Sequence, residues 1–142
     1  QLNKDLLLKQ IEQPQHFLVD NIYAKFHSDL KLNFLNKKLN GTLIYTLKTN
    51  KEAFENGTIN IIYSLPVNEQ PETTVHYSYP INEYVLSVIH DKNDNKKFDK
   101  FLGIPTEAYG FSNNPKTTFG PPKFEIALFD LSKVSRLEIE MK

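Results

Sequence analysis

Strict alternation is the property that most restricts what this chain can become. From Leu30 onward apolar and polar residues exchange places at every second position: Leu30, Leu32 and Phe34 against Lys31 and Asn33, then Leu43, Tyr45 and Leu47 against Ile44, Thr46 and Lys48. Successive side chains of a strand point to opposite faces, so a period of two buries one face and leaves the other to solvent. The Asn40-Gly41 turn between the two runs predicts a hairpin that pairs them. Residues 58–65, 73–79 and 83–90 are rich in β-branched and aromatic side chains and bounded by Asn, Pro or Gly, which predicts three further strands. Residues 123–131 and 135–141 close the chain as two more, while 51–55 is too short for an independent helix and predicts a single turn over a sheet edge. Seven or eight short strands separated by regular turn signals imply an all-β protein, a two-sheet β-sandwich in the first place and a closed barrel in the second.

Length and charge bound the rest. At 142 residues the chain can bury one core without disulfides or metal, so one domain is expected, spanning 30–142, with 1–29 as an N-terminal extension. In that extension Asn3 is a candidate N-cap, Leu6, Leu7, Leu8 and Ile11 form an apolar stripe, and Pro14 ends it, predicting a short amphipathic helix over 4–13. Alternation of Ile22, Ala24 and Phe26 with Tyr23 and Lys25 predicts one extra strand. Lysine plus arginine equals aspartate plus glutamate at 17 each, so no net field draws the chain to nucleic acid. Cysteine is absent, which removes disulfides, zinc thiolates and thiol catalysis together. No apolar run reaches the roughly 18 residues of a membrane-spanning helix. Gln1 in place of Met suits a mature exported protein as well as a trimmed chain.

Directly after the apolar run Tyr84–Ile89 comes a stretch of different chemistry, from His90 to Asn114. Asp91, Asn93, Asn95 and Asp99 carry oxygens at alternate places, which a curling loop can turn toward one hard cation. The candidate ligands of a structural Ca2+ are Asp91, Asn93, Asn95, the Lys97 carbonyl and Asp99, with Glu107 replacing the usual carboxylate at the twelfth place and Asp94 as second choice. Lys96 occupies the sixth place, where glycine normally permits the sharp turn, and Leu102 the twelfth. The competing interpretation is an Asx-rich turn whose carboxylates accept backbone N–H bonds and bind nothing. Beyond it, Gly103 and Gly110 give backbone freedom and Pro105 stiffness. Tyr109 and Phe111 either pin the loop to the sandwich or face outward with Asn113 and Asn114 as a binding surface, and Ser112, Asn113 and Asn114 are suited to capping it.

These residues carry a resemblance. The run His90-Asp91-x-Asn93-x-Asn95-x-Lys97-x-Asp99, then Phe101-x-Gly103-Ile104-Pro105-x-Glu107-x-Tyr109-Gly110-Phe111-Ser112-Asn113-Asn114, then Gly120-Pro121-Pro122-x-Phe124-Glu125-x-Ala127, resembles the bacterial family called domain of unknown function 2141 over about residues 30 to 142. The resemblance implies an exported protein, periplasmic, outer-membrane-associated or extracellular, with an immunoglobulin-like or transthyretin-like sandwich. No activity travels with it. Lys96 and Asn82 depart from the family pattern, which usually has glycine at both places.

No phosphate loop, HExxH helix or nucleophile elbow is present. His90 beside Asp91 is a poor catalytic pair, because neighbouring strand residues face opposite ways; bracing of the loop suits His90 better. The sequence therefore points to a non-enzymatic accessory or binding domain at the cell envelope, recognising a protein, peptide or glycan. Two alternatives stand beside it: a glycan-directed hydrolase using Glu107 and Asp99, and a carrier of a small apolar ligand between the sheets.

Overall fold

In the computed structural model of the protein, the described residues are 26–36, 38, 40–56, 62–96, 100–101, 104–116 and 120–142. In chain order they form β1 (His27–Leu35), β2 (Thr42–Lys48), α1 (Lys51–Glu55), β3 (Ile62–Pro66), β4 (Glu72–Pro80), β5 (Glu83–Asp91), β6 (Lys100–Phe101), β7 (Ile104–Pro105), β8 (Tyr109–Phe111), α2 (Phe124–Ala127), β9 (Leu128–Asp130) and β10 (Arg136–Glu140). One sheet has the order β10-β1-β4; the other runs β3-β2-β5-β8, with β9 on β5 beyond the end of β8. β6 and β7 form a separate two-residue ribbon. Two sheets rather than a closed barrel are thus observed, as the alternation implied. β1 starts at His27, so the sandwich begins slightly ahead of residue 30. The helix expected over 4–13 and the extra strand before Phe26 lie outside the described residues.

The inner faces meet in one core. Leu30, Leu32, Phe34, Tyr79, Ile139 and Met141 come from the first sheet, and Leu43, Tyr45, Leu47, Leu86, Val88 and Phe129 from the second. The Phe34 and Tyr45 rings lie 5.4 Å apart, and the Tyr45 and Tyr79 hydroxyls share a buried 2.8 Å hydrogen bond across the layers. Along one side Tyr63 of β3 stacks on Tyr45 and meets Tyr79 edge-on. Along the other, the end of the chain crosses between sheets: Met141 N–H donates to the Leu35 carbonyl, while Lys142 and Tyr109 exchange both backbone bonds.

Two expectations are corrected. The runs at 30–34 and 43–47 do not form a hairpin; β1 pairs β4 antiparallel and β10 parallel, whereas β2 pairs β3 and β5. Both runs carry a fully apolar face, and each face is covered by becoming the opposite layer of the other. Gly41 makes the crossing, with φ +85° and its Cα so close to the Asp91 carbonyl and Lys92 that a Cβ would lie 2.6 Å from that oxygen. Second, 123–131 is not one strand: a helical turn, α2, precedes the three-residue β9. Side-chain donors replace strand partners there, since Ser112 Oγ donates to the Ala127 carbonyl and Asn113 Nδ2 to those of Ile126 and Leu128.

Candidate functional site

β5 delivers Asp91 at its end, where the side chain is buried. Its Oδ1 accepts the Asn95 N–H at 3.2 Å and its Oδ2 the Lys96 N–H at 2.7 Å; Asn93 Oδ1 accepts the same Asn95 N–H. Buried Glu107 accepts the Lys92 N–H through Oε2, and Thr42 donates its hydroxyl to Asp94. The turn is therefore a ring of side-chain acceptors around backbone donors. Asp94 and Lys96 take left-handed φ values of 55° and 61°. Lys96 thus adopts the conformation for which glycine is the usual residue, at a steric cost of about 1 kcal/mol.

The structure brings Asp91, Asn93, Asn95 and Glu107 to one turn; Lys97 and Asp99 lie outside the described residues. Among the described residues no three His, Cys, Asp or Glu side chains are grouped to hold a metal ion. Both oxygens of Asp91 already serve amides, although a carboxylate has lone pairs for further partners. His90, on the opposite face of β5, does not brace the 91–114 loop with its ring: Nε2 donates to the Asn40 carbonyl in the β1–β2 connection, and only the backbone N–H reaches the loop, at the Ala108 carbonyl. That tautomer leaves Nδ1 as a buried acceptor with no hydrogen-bond partner among the described residues.

Tyr109 and Phe111 sit on the outer face of β8, half-buried. Phe111 meets Tyr109 at 6.0 Å and Phe54 of α1 at 6.1 Å, and Phe54 in turn meets Phe124 of α2 at 6.0 Å. This chain of rings holds both helical turns against the sheet. Asn113 and Asn114 have left-handed φ of 67° and 45° and engage their carboxamides with backbone. Asn113 serves α2 and β9, and Asn114 donates to the Glu138 carbonyl while accepting the Glu140 N–H. The capping expected of them is present. Ser112, fully buried, completes it by accepting the Leu86 N–H.

A second feature was not anticipated. On the outer face of the five-stranded sheet lies a groove of about 580 Å3, bounded at one end by Asp91, Asp94 and Lys96. Ile44, Ile62 and Ile89 give it apolar walls, and Thr46, Ser64 and Ser87 give it hydroxyls. At the other end is Lys48, only 7 % exposed. There α1 packs on β2 and α2 on β5, and Val85, the register partner of Lys48, is fully buried. The Lys48 ammonium has no ion pair or hydrogen bond with any described residue, and desolvation lowers its pKa from the ordinary lysine value. The sequence did contain a signal: Tyr84–Ile89 is almost continuously apolar, the pattern of a strand covered on both faces.

A bacterial family described as an uncharacterized protein conserved in bacteria, domain of unknown function 2141, matches residues 35–138. The chain belongs to this family. The match to domain of unknown function 2141 takes in β2 to β9, and with them the braced turn, the outer groove and most of β10. No curated protein and no solved structure matches the chain. Among the described residues no helix is long and apolar enough to cross a membrane.

Proposed function

We propose that this domain is a non-catalytic binding module of the bacterial cell envelope, with its ligand site in the groove on the outer face of the five-stranded sheet. The observation that carries the reading is that groove: about 580 Å3, within the size range of small-ligand sites, with apolar walls and a few polar groups. The carboxylate-braced turn fixes one end of it, so the ordering cost of the site is met on folding rather than on binding. The hydrolase alternative has less support, because Glu107 is buried and bonded to the Lys92 amide. A carrier site between the sheets competes with the side chains that fill the interior. Envelope location rests on the family resemblance and is tested by fractionating the native host.

Amide-detected NMR during a fragment screen tests the site. Shifts clustering at Ile44, Ser87 and Ile89 are expected; hits that avoid the outer face of β2 and β5 would overturn the assignment.

One observation favours a second role for the turn. Lys96 already has the left-handed backbone that the sixth place of a calcium loop requires. In this reading a structural Ca2+ is held by Asp91, Asn93, Asn95, the Lys97 carbonyl, Asp99 and Glu107. Calorimetry at millimolar Ca2+ decides it: a saturable heat with a rise in Tm supports the ion, and their absence removes it.

A further inference from the structure

We propose that the groove binds a carboxylate amphiphile, its head on Lys48 and its aliphatic body along Ile44, Ile62 and Ile89. This rests on the groove being the binding site and goes further by naming the ligand's chemistry.

Lys48 lines the groove with most of its stem covered, and no described carboxylate pairs with its ammonium. A partly desolvated ammonium with no described counter-ion is under-compensated, and an apolar residue of similar length would fill the same space without that cost. The arrangement is half of an ion pair, and an entering anion completes it through charge-assisted hydrogen bonds. Thr46 and Ser87, one step along the same face, offer hydroxyl donors to the second carboxylate oxygen.

Charge also sets the valence and the direction. Among the described residues that line the groove, Lys48 is the one cation at its end, so one negative charge is matched and a second would be left over. The far end holds Asp91 and Asp94 against the one ammonium of Lys96, which disfavours an anion there. Between the ends, Ile44 pairs with Ile89 across β2 and β5, and Ile62 is 55 % exposed on β3, an apolar strip still facing solvent. From Thr42 to Lys48 the strand covers about 20 Å, room for a medium-length aliphatic chain laid along it.

The test uses decanoate, with decanol and acetate as probes lacking the charge or the chain, titrated into the full chain by calorimetry and NMR. Decanoate is expected to bind saturably with shifts at Ile44, Ile89 and Lys48, and at least about tenfold more tightly than either control. Lys48→Met should lose about that tenfold and keep its decanol affinity, whereas Lys48→Arg should retain most of the decanoate affinity; thermal melts show that both variants fold. Decanol binding as tightly as decanoate, or decanoate binding unchanged by Lys48→Met, overturns the anionic-ligand inference and leaves the groove as a site. Failure of all three probes to shift any outer-face amide overturns it too, and sets it apart from a groove that answers only to other fragments.

Discussion

The two faces of β2 and β5 are built from alternate residues of the same strands, yet they have been solved differently. Inward, Leu43, Tyr45, Leu86 and Val88 are almost wholly buried, and the one polar group among them, the Tyr45 hydroxyl, is bonded to Tyr79. Outward, Ile44 and Ile89 remain half-exposed and Lys48 is buried without a counter-ion among the described residues. Apart from His90 Nδ1, which has no partner among the described residues, the inner face completes its interactions within the chain. The other keeps apolar area open and, among the described residues, a lysine without a counter-ion, which is the pattern of a surface whose partner is elsewhere.

Substitutions can break or sharpen that contrast. Leu86→Ala should cost about 3 kcal/mol in urea unfolding, while Ile89→Ala, three positions on but facing outward, should cost under about 1 kcal/mol; equal losses would erase the distinction. Tyr79→Phe strands the buried Tyr45 hydroxyl and should cost about 2 kcal/mol. Asp91→Ala removes the acceptor of two turn amides and should cost about 1–2 kcal/mol. Limited proteolysis should then find new cuts within 91–114 while the strands stay protected, and an unchanged digest would deny the carboxylate its bracing role.

Lys48→Met should raise stability by about 1 kcal/mol, the reverse of a normal buried-site substitution. Its pH dependence gives a second check. Desolvation places the folded Lys48 pKa below the unfolded value, so between the two the unfolded chain binds more protons and stability climbs with pH. The difference between wild type and Lys48→Met should therefore narrow as pH rises toward about 10. A gap that does not change with pH would mean the ammonium is not the source. Smallest is Lys96→Gly, which relieves the left-handed lysine and should gain about 0.5 kcal/mol by thermal melt.

Much of the fold could be read from residue pattern alone. Period two located β1, β2 and β10 because each has one face in the core, β-branched and aromatic content located β4 and β5, and the Asx-rich turn stood out because its donors and acceptors are local. Pairing was harder. Alternation at Leu30–Phe34 and Leu43–Leu47 tells which face of each run is buried and not which strand lies beside it, so an apparent hairpin proved to be two opposed layers. The turn at Phe124–Ala127 was hidden because Phe124, Ile126 and Leu128 mimic a strand; its cause lies in Ser112 and Asn113, more than ten positions earlier. The groove escaped for a related reason. Lys48 looks like any outward lysine until α1 and α2 are seen packed across that end of the sheet.

The position of β10 has a consequence for how the protein is made. β1 lies between β4 and β10, and Met141 and Lys142 then reach across to Leu35 and Tyr109. The first strand of the sandwich cannot be flanked on both sides until the last has left the ribosome, so a partial chain presents a bare ladder and an open seam. Closure of this sheet therefore waits for β10, and whatever shields the growing polypeptide must do so until that strand arrives.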